Sequence, residues 1–230
     1  MVKKKTLYIV STPIGNMDDI TLRAIETLKE VDVVICEEYK PARRLLKRLG
    51  LLGKELLSIN EHNEMEDAES VLMQMLQNNE SMALISDCGT PVFSDPGHEL
   101  IRLAVDYKIP VVPIPGASSL MTTLSILDFR LRNFVFGGFL SRNPQERKRE
   151  MTRLRNLNMP VVLMDTPYRM KAVLEDSIKV FGKGREATLG CDLTSHKEKI
   201  VRGTLGEILQ KVQDRKAEFI LIIHDYQRNR

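Results

Sequence analysis

The chain has little of several things that usually announce a function. Its three cysteines, Cys36, Cys88 and Cys191, are far apart and form no CxxC pair, which argues against a disulfide framework and a zinc site. The histidines His62, His98, His196 and His224 are equally scattered, and no metal is expected. No apolar run approaches the length of a membrane span. The first residues, Met1-Val2-Lys3-Lys4-Lys5, lead into a strand-like segment instead of a signal-peptide hydrophobic region, so a soluble cytoplasmic protein is expected. Charge of one sign is also missing: 34 Lys and Arg stand against 31 Asp and Glu, a formal net charge of +3. That balance is not the footprint of a domain with a dense basic face. There is no GxxxxGK[ST] phosphate loop and no GxGxxG after the first strand, which excludes the common nucleotide-binding readings. Internal repeats, low-complexity stretches and long linkers are absent as well.

What is present is enough apolar sequence, 43% of 230 residues, for one large or two medium α/β domains. Apolar runs at Leu7 to Val10, Val31 to Cys36, Leu56 to Ile59, Met82 to Ile85 and Val111 to Ile114 alternate with helix-like segments. This alternation predicts a mostly parallel sheet with helices on both faces. Thr21 or Asp19 is placed to cap the first helix, Gly50 to stop the second, and Pro96 to occupy the first helical position before His98. After a helix-like Ser118 to Leu127 the texture changes. Strands are expected at Phe134 to Phe139, Val161 to Asp165, Ala187 to Leu193, Lys199 to Arg202 and Phe219 to His224, the third and fourth forming an antiparallel hairpin in a mixed sheet. The expected fold class is α/β with two α/β domains, residues 1–117 and 118–230, and a ligand cleft between them.

Three of the apolar runs end in loops of small residues. Ser11-Thr12-Pro13-Ile14-Gly15-Asn16 follows the first. Ser86-Asp87-Cys88-Gly89-Thr90-Pro91-Val92-Phe93-Ser94-Asp95-Pro96-Gly97 follows the fourth, and Pro115-Gly116-Ala117-Ser118-Ser119 the fifth. Each alone is an ordinary chain turn. Together they suggest a binding edge, because open α/β sheets place ligands where strand ends and helix N-termini leave backbone N–H groups unpaired.

These segments, with Asp19-Ile20-Thr21-Leu22-Arg23-Ala24 and weaker matches at Gly138-Phe139-Leu140, Thr166-Pro167-Tyr168-Arg169 and Thr194 to Glu198, resemble the tetrapyrrole methylase-like S-adenosylmethionine methyltransferases. Within that family they look most like the branch that methylates a cytidine 2′-hydroxyl of bacterial small-subunit ribosomal RNA. The resemblance covers nearly the whole chain. It implies S-adenosylmethionine as cofactor, ribosomal RNA or the small ribosomal subunit as partner, and a homodimer.

The cofactor role carries over onto Pro13, Gly89, Thr90, Phe93, Ser118 and Ser119, with Met164 and Leu189 open to a plain core-packing explanation. Gly89 and Gly116 suit close backbone approach, the hydroxyls of Thr90, Ser118 and Ser119 suit hydrogen bonding, and Ile14, Phe93, Met164 and Leu189 suit apolar walls. A methyl on a sulfonium is already electrophilic, so the protein mainly has to hold the nucleophile in line. A ribose hydroxyl also needs a nearby base. Glu37 and Glu38, at the exit of the second strand where the family carries an acidic pair, are candidates together with Lys197, Asp87 and Asp95, and Asn16 is a candidate for positioning the acceptor. Two basic patches are candidate RNA contacts: Arg43 and Arg44 with Lys40, Lys47 and Arg48, and Arg142, Arg147, Lys148 and Arg149 with Arg153 and Arg155. The first patch reads equally well as the solvated face of an amphipathic helix.

The chain departs from the branch pattern at three places. Glu37-Glu38-Tyr39-Lys40 stands where the branch has Glu-Asp-Thr-Arg, which removes an arginine fork. Asp192-Leu193-Thr194-Ser195 stands for Glu-Leu-Thr-Lys, with a lysine displaced to Lys197. The sequence ends at Arg230, without the further C-terminal segment of longer members. Two alternatives stay open: methylation of a tetrapyrrole or other small molecule, and a non-catalytic cofactor- or RNA-binding regulator.

Overall fold

The computed structural model describes residues 5–213 and 215–225; residues 1–4, read above as leading into a strand, and the C-terminal end at Arg230 lie outside them. The chain divides between Ser118 and Ser119 into two compact units. Among the described residues no helix is long and apolar enough to cross a membrane.

The first unit alternates strand and helix: β1 (Leu7–Val10), α1 (Leu22–Glu30), β2 (Val33–Cys36), α2 (Tyr39–Arg48), β3 (Glu55–Ser58), α3 (Glu64–Asn78), β4 (Met82–Ile85), α4 (His98–Asp106) and β5 (Val111–Ile114). The strands form one parallel sheet in the order β3-β2-β4-β1-β5. Successive side chains of a strand point to opposite faces, and the core divides accordingly. Val33, Ile35, Met82 and Leu84 pack with α3 and α4. Val34, Cys36, Ala83 and Ile85 pack with α1 and α2 on the other face. A strand buried on both faces reads as a continuous apolar run, which is why β2 and β4 carry no polar residue.

Local signals explain most boundaries. Thr21 caps α1 by accepting a hydrogen bond from the Ala24 N–H at 3.1 Å, whereas Asp19 lies in a 3₁₀ turn over Met17–Asp19. Gly50, at φ +74°, follows the end of α2. Pro113 is tolerated in β5 because that strand is at an edge. Pro96 does not open α4 as its position suggested: the helix starts at His98 after Gly97, whose φ of 130° is not helical. Its first turn is capped from another helix, Glu64 Oε1 accepting from the N–H groups of Gly97 (2.8 Å) and Glu99 (3.0 Å).

The second unit contains α5 (Ser119–Ser125), β6 (Val135–Gly138), α6 (Pro144–Arg155), β7 (Val161–Asp165), α7 (Met170–Phe181), β8 (Glu186–Cys191), β9 (Lys199–Thr204), α8 (Leu205–Val212) and β10 (Phe219–Ile223). Its sheet is mixed, ordered β6-β7-β10-β8-β9, with only β6 and β7 parallel. The expected hairpin is β8–β9, paired from Glu186↔Thr204 to Cys191↔Lys199. One face is covered by α6, α7 and α8, the other by Leu120 and Leu124 of α5 against Val162, Ile220 and Ile222.

Candidate functional site

In the first sheet β1 lies between β4 and β5, and the three strands end level: Val10 is paired with both Ile85 and Ile114. Their loops therefore leave the sheet side by side. The helix after β1 packs on one face and the helix after β4 on the other, so the chain parts between these two strands. Such a parting is the usual ligand crevice of an open α/β sheet.

Hydrogen bonds knit the loops together. The Thr12 N–H donates to the Gly89 carbonyl at 2.8 Å. The Thr12 hydroxyl accepts from the Gly89 N–H at 3.1 Å and donates to the Ser86 carbonyl at 3.0 Å. Ser11 Oγ donates to Thr90 Oγ1 at 3.2 Å, and Thr90 Oγ1 in turn to the Ala117 carbonyl at 3.5 Å. Gly89 sits at φ +90°, and a Cβ there would meet Ile14 Cγ2 at 3.1 Å; at Gly116 it would meet Ser11 Cβ at 3.0 Å. Both glycines thus let one loop lie against another. Pro13, Ile14, Gly89, Thr90 and Gly116 are brought into one loop cluster in this way, with Pro13 and Gly89 buried and Ile14 half-buried. Phe93 lies further along the β4 loop and is 56% exposed. Ser118 is the last residue of the first unit and Ser119 the first of α5.

Met164 and Leu189 belong to the sheet of the second unit. Met164 is half-buried and packs against Val162, Ile220 and Ile222, while Leu189 is fully buried in the core beside β10. Lys197 is exposed in the turn between β8 and β9. Asn16 is exposed, and its side chain caps the 3₁₀ turn by accepting from the Asp18 N–H at 3.1 Å.

The exit of β2 is acidic. Burial, and then the carboxylates of Asp95, Asp87, Glu61 and Glu38, push the Glu37 carboxyl above its ordinary range. Burial also raises Asp87, opposed by a hydrogen bond from the Glu38 N–H and reinforced by the Glu38 and Asp95 charges. A carboxylate held above its ordinary range is a better proton acceptor near neutral pH. Asp95 accepts a hydrogen bond from Ser86 Oγ at 2.5 Å, which ties it back into the β4 loop.

A family model for the tetrapyrrole (corrin/porphyrin) methylases matches residues 6–209. The chain belongs to this family. Among relatives of this methylase, the Leptospira biflexa protein named ribosomal RNA small subunit methyltransferase I is 37% identical over 223 residues, covering 96% of this chain and 92% of that one. The Bacillus subtilis protein of the same name is 34% identical over 219 residues, covering 94% and 74%. Solved structures with the same fold include a cobalt precorrin-4 methyltransferase (TM-score 0.70, 17% identity, 97% and 98% covered) and a diphthine synthase (TM-score 0.72, 18% identity, 96% and 90% covered).

The basic patches behave differently from one another. On α2 of this methylase, Lys40, Arg43, Arg44, Lys47 and Arg48 are exposed while Ala42, Leu45 and Leu46 are buried. Arg48 is paired with Asp18 at 3.0 Å, and Arg43 lies over the Tyr39 ring at 5.6 Å. Arg142, in the loop before α6, and Lys148 and Arg149 on the helix are exposed, but Arg147 is not a surface contact: it is 5% exposed. Its guanidinium binds Asp176 Oδ2 through two nitrogens, at 2.9 and 2.6 Å, and donates to the carbonyls of Ser141 and Arg142. Each of its three nitrogens is thus hydrogen-bonded inside the unit. The same loop is held by Arg169, which donates to the carbonyls of Leu140 (2.8 Å) and Ser141 (2.9 Å).

Two residues that the sequence reading gave no role stand out at the β1 edge, Thr12 and Met17. A hydroxyl residue immediately after a strand was the available signal for Thr12; nothing local marked Met17.

Proposed function

We propose that this methylase transfers a methyl group from S-adenosylmethionine to a ribose 2′-hydroxyl, that of a cytidine, in small-subunit ribosomal RNA. The observation that carries the reading is the identity of 34–37% across at least 94% of the chain with proteins named ribosomal RNA small subunit methyltransferase I. For the cofactor we assign Pro13, Ile14, Gly89, Thr90, Phe93, Gly116 and Ser118, and the assignment extends to Ser119 and Met164; Leu189, fully buried in the core of the second unit, is left to packing. The bound cofactor supplies an electrophilic methyl group. The protein's part is to orient the acceptor, where alignment contributes on the order of 7–11 kcal/mol, and to take up its proton. Glu37 is the favoured base among the Glu37 and Glu38 pair, since its carboxyl is pushed up by burial and by neighbouring carboxylates. Asn16 is assigned to positioning the acceptor, and Lys197 is a further candidate base. The RNA strand is engaged by Arg43, Arg44, Arg142, Lys148 and Arg149 in a cytoplasmic homodimer whose functional domains are residues 1–117 and 118–230.

The test is methyl transfer from labelled S-adenosylmethionine to small-subunit particles from cells lacking this gene, with free RNA alongside and an Asn16→Ala, Glu37→Ala double variant as control. Label that maps to a ribose and vanishes in the variant is the expected result. Absence of label from the active, cofactor-binding protein overturns the RNA assignment.

A further inference from the structure

The first unit contains a cavity of about 340 Å³ whose walls include Pro13, Glu38 and Arg44, assigned above, and whose other lining residues, Met17 among them, have no role yet. It opens between the ends of β1, β2 and β4. Its floor is apolar, formed by Pro13, Met17, Leu45 and Ile85, and its polar lining includes Glu38, Asp87, Lys40 and Arg44. Leu45 and Ile85 are buried core residues, so the floor is fixed by the sheet and α2. The two acidic residues are tied side by side, because the Glu38 N–H donates to Asp87 Oδ1 at 3.4 Å. Thr12, whose hydroxyl bonds Ser86 and Gly89, also lines the cavity. It therefore adjoins the loop cluster assigned to the cofactor.

We propose that this cavity receives the base of a single unstacked cytidine. The inference rests on the ribosomal RNA reading and deepens it by assigning residues to the acceptor nucleoside. Enzymes that act on one nucleotide of a structured strand take its base into a pocket with apolar walls and read its Watson–Crick edge by hydrogen bonds. Here the apolar side chains supply the slot. The carboxylate oxygens of Glu38 and Asp87 are hydrogen-bond acceptors, which matches the exocyclic amino group of cytosine. Lys40 and Arg44 only donate, which matches its ring nitrogen and carbonyl oxygen. Uracil places a carbonyl oxygen where cytosine has the amino group, and that oxygen would face carboxylate. The cavity lies at the small end of ligand pockets, a size that suits one pyrimidine. The exposed basic face of α2 continues from its mouth and suits the flanking phosphates. Glu38 is thereby assigned to the base, leaving Glu37 for the ribose proton.

The test combines Met17→Trp, which fills the slot, with Glu38→Gln, which weakens the reading of the amino group. For each, cofactor affinity, thermal midpoint, and kcat and KM on small-subunit particles are measured, the particles carrying either the native cytidine or a uridine at the acceptor position. Wild type should prefer cytidine by about tenfold to a hundredfold. Met17→Trp should raise the KM for particles about tenfold or more with cofactor affinity within about twofold, and Glu38→Gln should shrink the cytidine preference. Equal use of uridine by the wild type, an unchanged KM in Met17→Trp, or a parallel loss of cofactor affinity overturns the cavity assignment while leaving RNA methylation standing. If Met17→Trp fails to fold, the base preference of Glu38→Gln decides alone: an unchanged preference overturns the proposal. A wild type that labels no RNA overturns both.

Discussion

At the open edge of the first sheet Glu37 and Asp87 sit among other carboxylates and are both pushed above their ordinary range. In the second unit acids that are at least partly buried meet arginines: Arg147 with Asp176 at 2.6 Å, Arg215 with Asp192 at 2.8 Å and Arg169 with Asp165 at 3.3 Å. Burial raises the Asp176 carboxyl, but hydrogen bonds from Lys179 and Arg147 outweigh it and hold the group below its ordinary range. Asp165, almost wholly buried, is pushed up in spite of Arg169. Around the Ser141 loop of the second unit an arginine compensates the acid, whereas at the exit of β2 like charges are left together, at the edge where we place the chemistry. Glu218 of the second unit, raised by burial and by Asp192 and Asp165, shows that the contrast is between these two places and not between whole units. Uncompensated charge of this kind opposes folding and is expected where a site needs reactive groups.

The largest expected effect breaks the compensated side. Arg147→Met leaves Asp176 with Lys179 alone and takes the donors from the Ser141 and Arg142 carbonyls. It should destabilise the second unit by about 3 kcal/mol, read from urea unfolding. On the other side, Thr12→Val removes the acceptor of the Gly89 N–H and should cost about 1–3 kcal/mol; a loss below about 0.5 kcal/mol would show that the loops do not depend on that hydroxyl. Replacing exposed Lys148 and Arg149 by alanine should leave stability nearly unchanged and lower the slope of log K against log salt for RNA binding by about 1–2. The Arg147 variant that keeps the charge, Arg147→Lys, should not change that slope, since the residue is buried.

The smallest effect sharpens the comparison by pH. A carboxyl whose folded-state pKa is raised favours folding while protonated, and that advantage is lost as pH rises through the folded value. Ionised Glu37 therefore opposes folding at neutral pH. Glu37→Gln should raise the thermal midpoint by about 1–2 °C at pH 7, and the gain should disappear as the pH falls to the ordinary carboxylate range near 4.3. Asp176→Asn should do the reverse, losing more stability at pH 7 than at pH 3.

How much of this was legible depends on the range of the interaction involved. The central strands β1, β2 and β4 were readable because each is a nearly continuous apolar run, and β1, β4 and β5 also stop in small residues; β3, with Glu55 and Ser58 and no fully buried residue, gave the weaker signal. The end of β4 at Ile85 and of β5 at Ile114 match the sequence reading. The start of β2 was placed two residues early, since Val31 ends α1 and Asp32 is held by Ser81. Pro96 misled because the partner of the α4 N-terminus, Glu64, is more than thirty residues away. Arg147 misled for the same reason. Its partner Asp176 is on the next helix but one strand further along the chain, and a tally of local basic residues cannot tell a surface arginine from a buried one. The cavity was illegible because its walls come from three separate strand ends, with Met17 marked by no local pattern.

The position of β4 in the first sheet also sets an order of events during synthesis. Leu7 of β1 and Val33 of β2 both find their neighbour in Met82, so neither strand has that central partner until more than eighty residues have emerged. At roughly 5–20 residues per second, β1 is without either of its sheet neighbours, and β2 has only β3, for several seconds before the strand that joins them is available. The nascent chain is therefore most vulnerable to aggregation just before β4 appears, and a synonymous change that slows translation ahead of residue 82 would lengthen that interval without altering the finished protein.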